Sequence, residues 1–117
     1  MKHKFDVQKL FNDFKYPNLF LKIIQLGLVD FDCWYLMNKT QVYNRRRELL
    51  IRYSNRNLIP FARRSDCDNI ACFEVDAGEK VFIIHDFSSS GFEQENEFED
   101  FKSWFLDAIA EMLENED

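Results

Sequence analysis

Asn69-Ile70-Ala71-Cys72-Phe73-Glu74-Val75 and Lys80-Val81-Phe82-Ile83-Ile84-His85-Asp86-Phe87 are two runs rich in β-branched and aromatic residues, separated by Asp76-Ala77-Gly78-Glu79. Asp and Gly supply turn conformations, so the whole reads as a β-hairpin. With Ala77-Gly78 as a two-residue loop, Phe73 is expected opposite Phe82 and Ala71 opposite Ile84 on one face, with Cys72 opposite Ile83 on the other. Both faces would be largely apolar, which calls for helices over at least one of them. Just upstream, Leu58 to Arg63 is a third run of the same kind.

Outward from the hairpin the period changes. Val7, Leu10, Phe11 and Phe14 share one helical stripe and predict a helix ending at Tyr16, before Pro17. A second helix is expected from a cap at Asn18 to Gly27, where a left-handed residue is cheap. Leu28 to Asp32 is a connection and Cys33 to Met37 a short strand. Asn38-Lys39-Thr40-Gln41 has the form of a capping box, after which Val42, Leu49, Leu50 and Tyr53 recur on one helical face. Glu48 stands four residues before Arg52, the favourable order for a helical ion pair. Arg45, Arg46 and Arg47 spread over more than half the helix circumference, so at least one of them faces water. Downstream, Ser88 to Asn96 is a polar loop containing Gly91. The last helix carries Phe98, Phe101, Trp104, Phe105, Ala108, Ile109 and Met112, with Glu97, Glu99 and Asp100 in its first turn.

Composition bounds the answer. The chain has 117 residues, 46% apolar and 31% charged, which suits one domain. Thirteen phenylalanines supply its core. No apolar run approaches the about 20 residues that span a bilayer, and the start lacks the apolar stretch of a signal peptide, so no membrane partner is expected. Three cysteines, an odd number, argue against a disulfide framework, and a reducing, cytoplasmic location is expected.

The net charge of -6 hides a division. Residues 1 to 64 hold 13 Lys and Arg against 5 Asp and Glu, and residues 65 to 117 hold 2 against 16. Such halves either fold against each other and partly neutralise, or leave a charged binding surface.

Catalytic patterns are scarce. His85-Asp86 resembles the His-Asp pair of metal-dependent phosphohydrolases, but further ligands are needed and His3 is the one other histidine. Cys33, Cys67, Cys72 and His85 have the ligand types of a zinc site, yet Cys72 reads as a strand residue facing inward. Ser88-Ser89-Ser90-Gly91 lacks the lysine and following helix of a phosphate loop. No enzyme activity, cofactor or metal is therefore expected. Arg45-Arg46-Arg47 with Arg52, Arg56, Arg63 and Arg64 could bind nucleic acid, with Tyr43 and Tyr53 stacking on bases; exposed or ion-paired surface is the alternative. The acidic set Asp66, Asp68, Asp86, Glu93, Glu95 and Glu97 lies in or beside the loops flanking the sheet, where binding residues concentrate. Such a cluster would steer association with a basic protein.

Leu58-Ile59-Pro60-Phe61-Ala62-Arg63-Arg64, Asp66, Asp68-Asn69-Ile70-Ala71-Cys72-Phe73, Val81-Phe82-Ile83-Ile84-His85-Asp86-Phe87, Gly91-Phe92-Glu93 and the Phe98 to Phe105 stretch with Trp104 together resemble the SUKH superfamily. That group includes fungal cell-wall synthesis regulators and many bacterial immunity proteins. Weaker likeness at Tyr16-Pro17 and Trp34-Tyr35 extends coverage to about residues 16 to 113. The resemblance implies an α+β domain, a mostly antiparallel sheet wrapped by helices, without catalytic residues. It implies an antidote that binds and neutralises a toxin delivered between competing cells, often a nuclease. The family's frequent Asn-Gly-Gly after an early helix is absent; Gly27-Leu28-Val29 stands instead, as in a divergent branch. Together with the charge pattern, the expected partner is a basic toxin protein. Asp66, Asp68, Asp86, Glu93 and Glu95 are its expected contacts and Trp34 an aromatic anchor.

Overall fold

The computed structural model of the protein describes residues 2–8 and 10–115. Its architecture is α+β: a five-stranded antiparallel sheet in the order β1-β2-β3-β4-β5, with three α-helices among the described residues. The strands are β1 (Trp34–Leu36), β2 (Leu58–Arg64), β3 (Asn69–Glu74), β4 (Val81–His85) and β5 (Gln94–Phe98); the helices are α1 (Asn18–Gln25), α2 (Lys39–Arg52) and α3 (Phe101–Glu114).

The expected hairpin forms β3 and β4, but in a different register. Cys72 pairs with Phe82, Ala71 with Ile83, Ile70 with Ile84 and Asn69 with His85. The cause is the connection, which runs over six residues, 75–80, instead of two. Asp76 and Gly78 both take left-handed conformations, with φ of 70° and 66°, and the Val75 N–H bonds the Asn57 carbonyl, one step beyond the Leu58–Glu74 pair of β2 and β3. A slip of one residue changes which side chains share a face. Cys72 and Phe82 share one, Ala71 and Ile83 the other.

Both faces are covered, so the central strands β2, β3 and β4 are nearly continuous buried runs. Over one face, Phe20 of α1 and Phe101 of α3 pack edge-on against Phe61, whose ring stacks on Phe73 at 4.4 Å. Trp104 of α3 meets Trp34 and Phe61. Over the other, α2 lays down Val42, Arg46, Leu49 and then Tyr53, all buried. That tight stripe at spacings of 4, 3 and 4 takes Arg46 in and leaves Leu50, expected inside, exposed.

Local signals explain the helix ends. The capping box is present: the Asn38 side chain accepts from the Gln41 N–H, and the Gln41 side chain from the Asn38 N–H, each at 2.9 Å. Gly27 closes α1 at φ 77°, with its N–H on the Ile24 carbonyl and the Leu28 N–H on that of Ile23, a pair of reversed bonds that satisfies carbonyls the helix leaves free. At the other end Pro17, not Asn18, holds the cap position, and Asn18 is the first helical residue.

Two further expectations fail. Val7 to Phe14 is not a helix among its described residues; the ordered turn is a 3-10 segment at Lys2–Phe5. Tertiary contacts override the periodicity, since Phe14 stacks on Phe73 and Phe11 lies 4.3 Å under the Arg46 guanidinium. The Ser88 to Asn96 loop is also shorter than expected, because Gln94–Phe98 pairs with β4 as an edge strand. Glu97 and Phe98 therefore precede α3, which Asp100 caps by accepting the Ser103 N–H at 2.9 Å.

Candidate functional site

The two charged halves of the chain meet at the junction of α2 and the sheet. Arg45 and Arg52 are two turns apart on one face of α2, and both reach Asp86, the residue after β4. Arg45 Nη1 donates at 2.5 Å, and Arg52 through Nη2 at 2.5 Å and Nε at 3.0 Å. Asp86 is 1% exposed. A carboxylate taken this far from water is stable only when paired and hydrogen-bonded. Glu48 stands 3.8 Å from each arginine and offsets the second positive charge.

This ion pair fixes the loop between β4 and β5. Asp86 accepts the Phe87 N–H at 2.9 Å, and its own N–H donates to the Asp68 carbonyl, joining the two loops at that end of the sheet. The Tyr53 hydroxyl donates to the Ser88 carbonyl at 2.7 Å. At the far end Glu93, 6% exposed, accepts from Arg56 at 3.1 Å and from the Gly91 N–H at 2.7 Å. Arg56 also grips Glu74 with two hydrogen bonds. Burial alone would push the Glu93 carboxyl up, but hydrogen bonds from its backbone, Arg56 and Gly91 outweigh it and hold the group below the usual glutamate range.

What the pinned loop presents is aromatic. Phe87 is 61% exposed and Phe92 80%. Phe87 has φ of 73°, a left-handed conformation costly for a residue with a Cβ, and its ring lies 4.4 Å from the Arg52 guanidinium.

The expected contact residues fall into two groups. Asp86 and Glu93 are buried ion-pair partners, and Trp34, 5% exposed, lies against Trp104 under Arg64. These three are not surface contacts; the arginines needed charge partners and the core needed the indole. Asp66, Asp68 and Glu95 are at the surface. Asp66 is neutralised by Arg64 at 2.7 Å, whose hydrogen bonds hold its carboxyl down to about 2. Arg64 also binds Glu111, tying α3 to the β2–β3 loop. Asp68 makes no ion pair with any described residue. Glu95 accepts from Asn69 at 3.2 Å and lies 3.6 Å from His85 Nδ1, with no Lys or Arg among the described residues in ion-pair distance. It shares a polar groove of about 280 Å³ with Arg64, Asn69, Asn96, Asp107 and Glu111. Asp107, Phe87 and Phe92 are the residues that sequence reasoning missed.

The other constellations dissolve. His85 turns to Asn69 while Asp86 turns under α2, so adjacent residues make no joint site. Among the described residues no three His, Cys, Asp or Glu side chains gather to hold a metal ion, and Cys72 is fully buried with its thiol pushed well up by desolvation. Of Arg45, Arg46 and Arg47, the first binds Asp86 and the second is buried against Phe11 and Asn57; Arg47 alone is exposed. A cleft of about 680 Å³ between Phe5, Val7, Leu21 and Ile24 includes none of these residues. No helix among the described residues is long and apolar enough to cross a membrane.

Comparison of the chain with protein-family models, with curated proteins and with solved structures gives no match.

Proposed function

We propose that this is a non-catalytic protein-binding domain of the SUKH type, a cytoplasmic immunity protein that occludes a basic toxin, with a nuclease as the best-fitting partner. The observation that carries the reading is the β4–β5 loop. It is braced by buried ion pairs at both ends and exposes Phe87 and Phe92, while Asp68 of the β2–β3 loop hydrogen-bonded to it and Glu95 of the following strand carry exposed carboxylates with no described Lys or Arg in ion-pair distance. Exposed aromatics on a rigid support are the residues that dominate protein interfaces, and carboxylates around them steer a basic partner. A nuclease carries a cationic substrate cleft, which such a face complements. The rival reading, nucleic acid held by Arg45, Arg46 and Arg47, is weakened because two of the three are consumed inside the fold.

Co-expression with the toxin domain encoded by the neighbouring gene tests the proposal. Growth rescue by the native protein, lost in Asp68→Lys/Glu95→Lys, is the expected result. No rescue and no complex would overturn it, and a shift of DNA or RNA at low salt would favour the rival.

A further inference from the structure

The two edges of the sheet are finished differently. The outer side of β1 is covered by the chain's own connection, where Asp30 bridges Tyr35, Leu36 N–H reaches the Val29 carbonyl and Phe31 N–H that of Trp34. β5 ends the strand order, and among the described residues no backbone hydrogen bond from beyond the sheet reaches it. Four of its five residues are exposed.

One backbone group marks the open direction. The Glu97 N–H donates to its neighbour's side chain, Asn96 Oδ1, at 2.8 Å instead of to β4. In an antiparallel pair, a residue whose N–H turns away from one strand turns its carbonyl the same way. Glu97 therefore offers a donor and an acceptor outward, with the Asn96 amide covering the donor.

Charge decides what can use that edge. Glu95, Glu97 and Glu99 follow one another along it; the bulge opposite Ile83 and Ile84 sets Glu97 on the face of Phe82 and Glu95 on the opposite face with Asn69, and Lys80, 3.5 Å from Glu97, is the one cation within ion-pair distance among the described residues, apart from His85 when protonated. An antiparallel second copy paired about residue 96 or 97 sets glutamate opposite glutamate, a like-charge arrangement that repels. A basic strand, by contrast, meets a glutamate of opposite charge on either face of this edge. We infer that the open edge of β5 is a strand-addition site for an extended basic segment of the partner. This rests on the reading of the partner as a basic protein and adds the mode by which it docks.

The probe is the peptide Ac-TKVKVKT-NH2, titrated into the isotopically labelled full chain and followed by amide NMR, with Ac-TEVEVET-NH2 as control. The lysine peptide should shift the Glu95 to Phe98 amides and slow hydrogen exchange at the Glu97 N–H about tenfold, while the glutamate peptide does neither. Glu97→Pro removes the outward donor without touching the β4 ladder and should weaken binding about tenfold; Glu97→Gln, which keeps the donor, should weaken it only about threefold. Unchanged exchange at Glu97 in the native protein overturns the proposal, and this readout does not depend on the proline variant folding. Shifts spread over Asp68 and Asp107 and indifferent to Glu97→Pro also overturn it, while leaving the acidic face as the binding surface. Rescue by Glu97→Pro alongside failure of Asp68→Lys/Glu95→Lys would separate the two claims in the same way.

Discussion

Arg52 and Asp86 meet at 2.5 Å across the boundary between α2 and the sheet, the arginine partly exposed and the carboxylate buried. Arg45 completes the contact from one helical face, and this is how a strongly basic first half and a strongly acidic second half become one domain. Because removing one member of a buried pair leaves the rest uncompensated, Asp86→Ala should cost about 3 kcal/mol. Arg45→Ala or Arg52→Ala alone should cost less, since the other arginine remains, and the double variant should cost more than the sum. Urea unfolding of the four variants checks the cycle; additive losses would mean the arginines act independently.

Phe73 contacts the rings of Phe14, Tyr16, Phe20, Phe61 and Phe101. Phe73→Ala should therefore lose about 3–5 kcal/mol. Phe92→Ala, at an exposed position, should stay within about 0.5 kcal/mol of the native protein, yet weaken binding of the proposed toxin partner. Stability and affinity measured on the same two variants separate core from interface.

The strands β2, β3 and β4, the α2 capping box and the apolar face of α3 are legible in the sequence because each rests on local period or on a cap. β5 was not, since an edge strand with Gln94, Glu95, Asn96 and Glu97 has no apolar alternation to show. The acidic face was half legible. Charge and loop position pick out Asp66, Asp68, Asp86, Glu93 and Glu95 alike, and only the approach of α2 and of Arg56 just after it, more than 30 residues earlier in the chain, turns two of them inward. Trp34 fails as an anchor for a similar reason: an indole beside a turn looks exposed until Trp104 and Arg64 close over it. Phe87 and Phe92 flank a serine run that gives no sign of being braced by Tyr53 and Arg56.

Acid should loosen the same braces. Glu93 and Asp66 both have folded pKa values below their unfolded ones, so the unfolded chain binds more protons as pH falls. Their contribution is complete above the ordinary carboxylate range of about 4 and drains away as pH falls towards 2, the value at which Asp66 is held. Asp66 is well exposed and its share is small. Glu93→Gln should therefore flatten the fall in urea midpoint between about pH 7 and pH 3. An unaltered slope would place the acid sensitivity elsewhere.

If the proposed partner docks here, Asp68→Lys/Glu95→Lys should lower its association rate about tenfold at low salt and leave the dissociation rate nearly unchanged. The difference should shrink once ionic strength shortens the screening length to several ångströms. Stopped-flow measurements at two salt concentrations distinguish steering from direct contact, which would alter dissociation instead.

The most direct test of the central claim is capture of the tagged protein from its native host at low salt, followed by identification of what it holds and a repeat with Asp68→Lys/Glu95→Lys. A basic toxin domain that is released as salt rises and is missing from the variant is the predicted result. Nucleic acid in its place, or a toxin retained equally by the variant, would contradict the account.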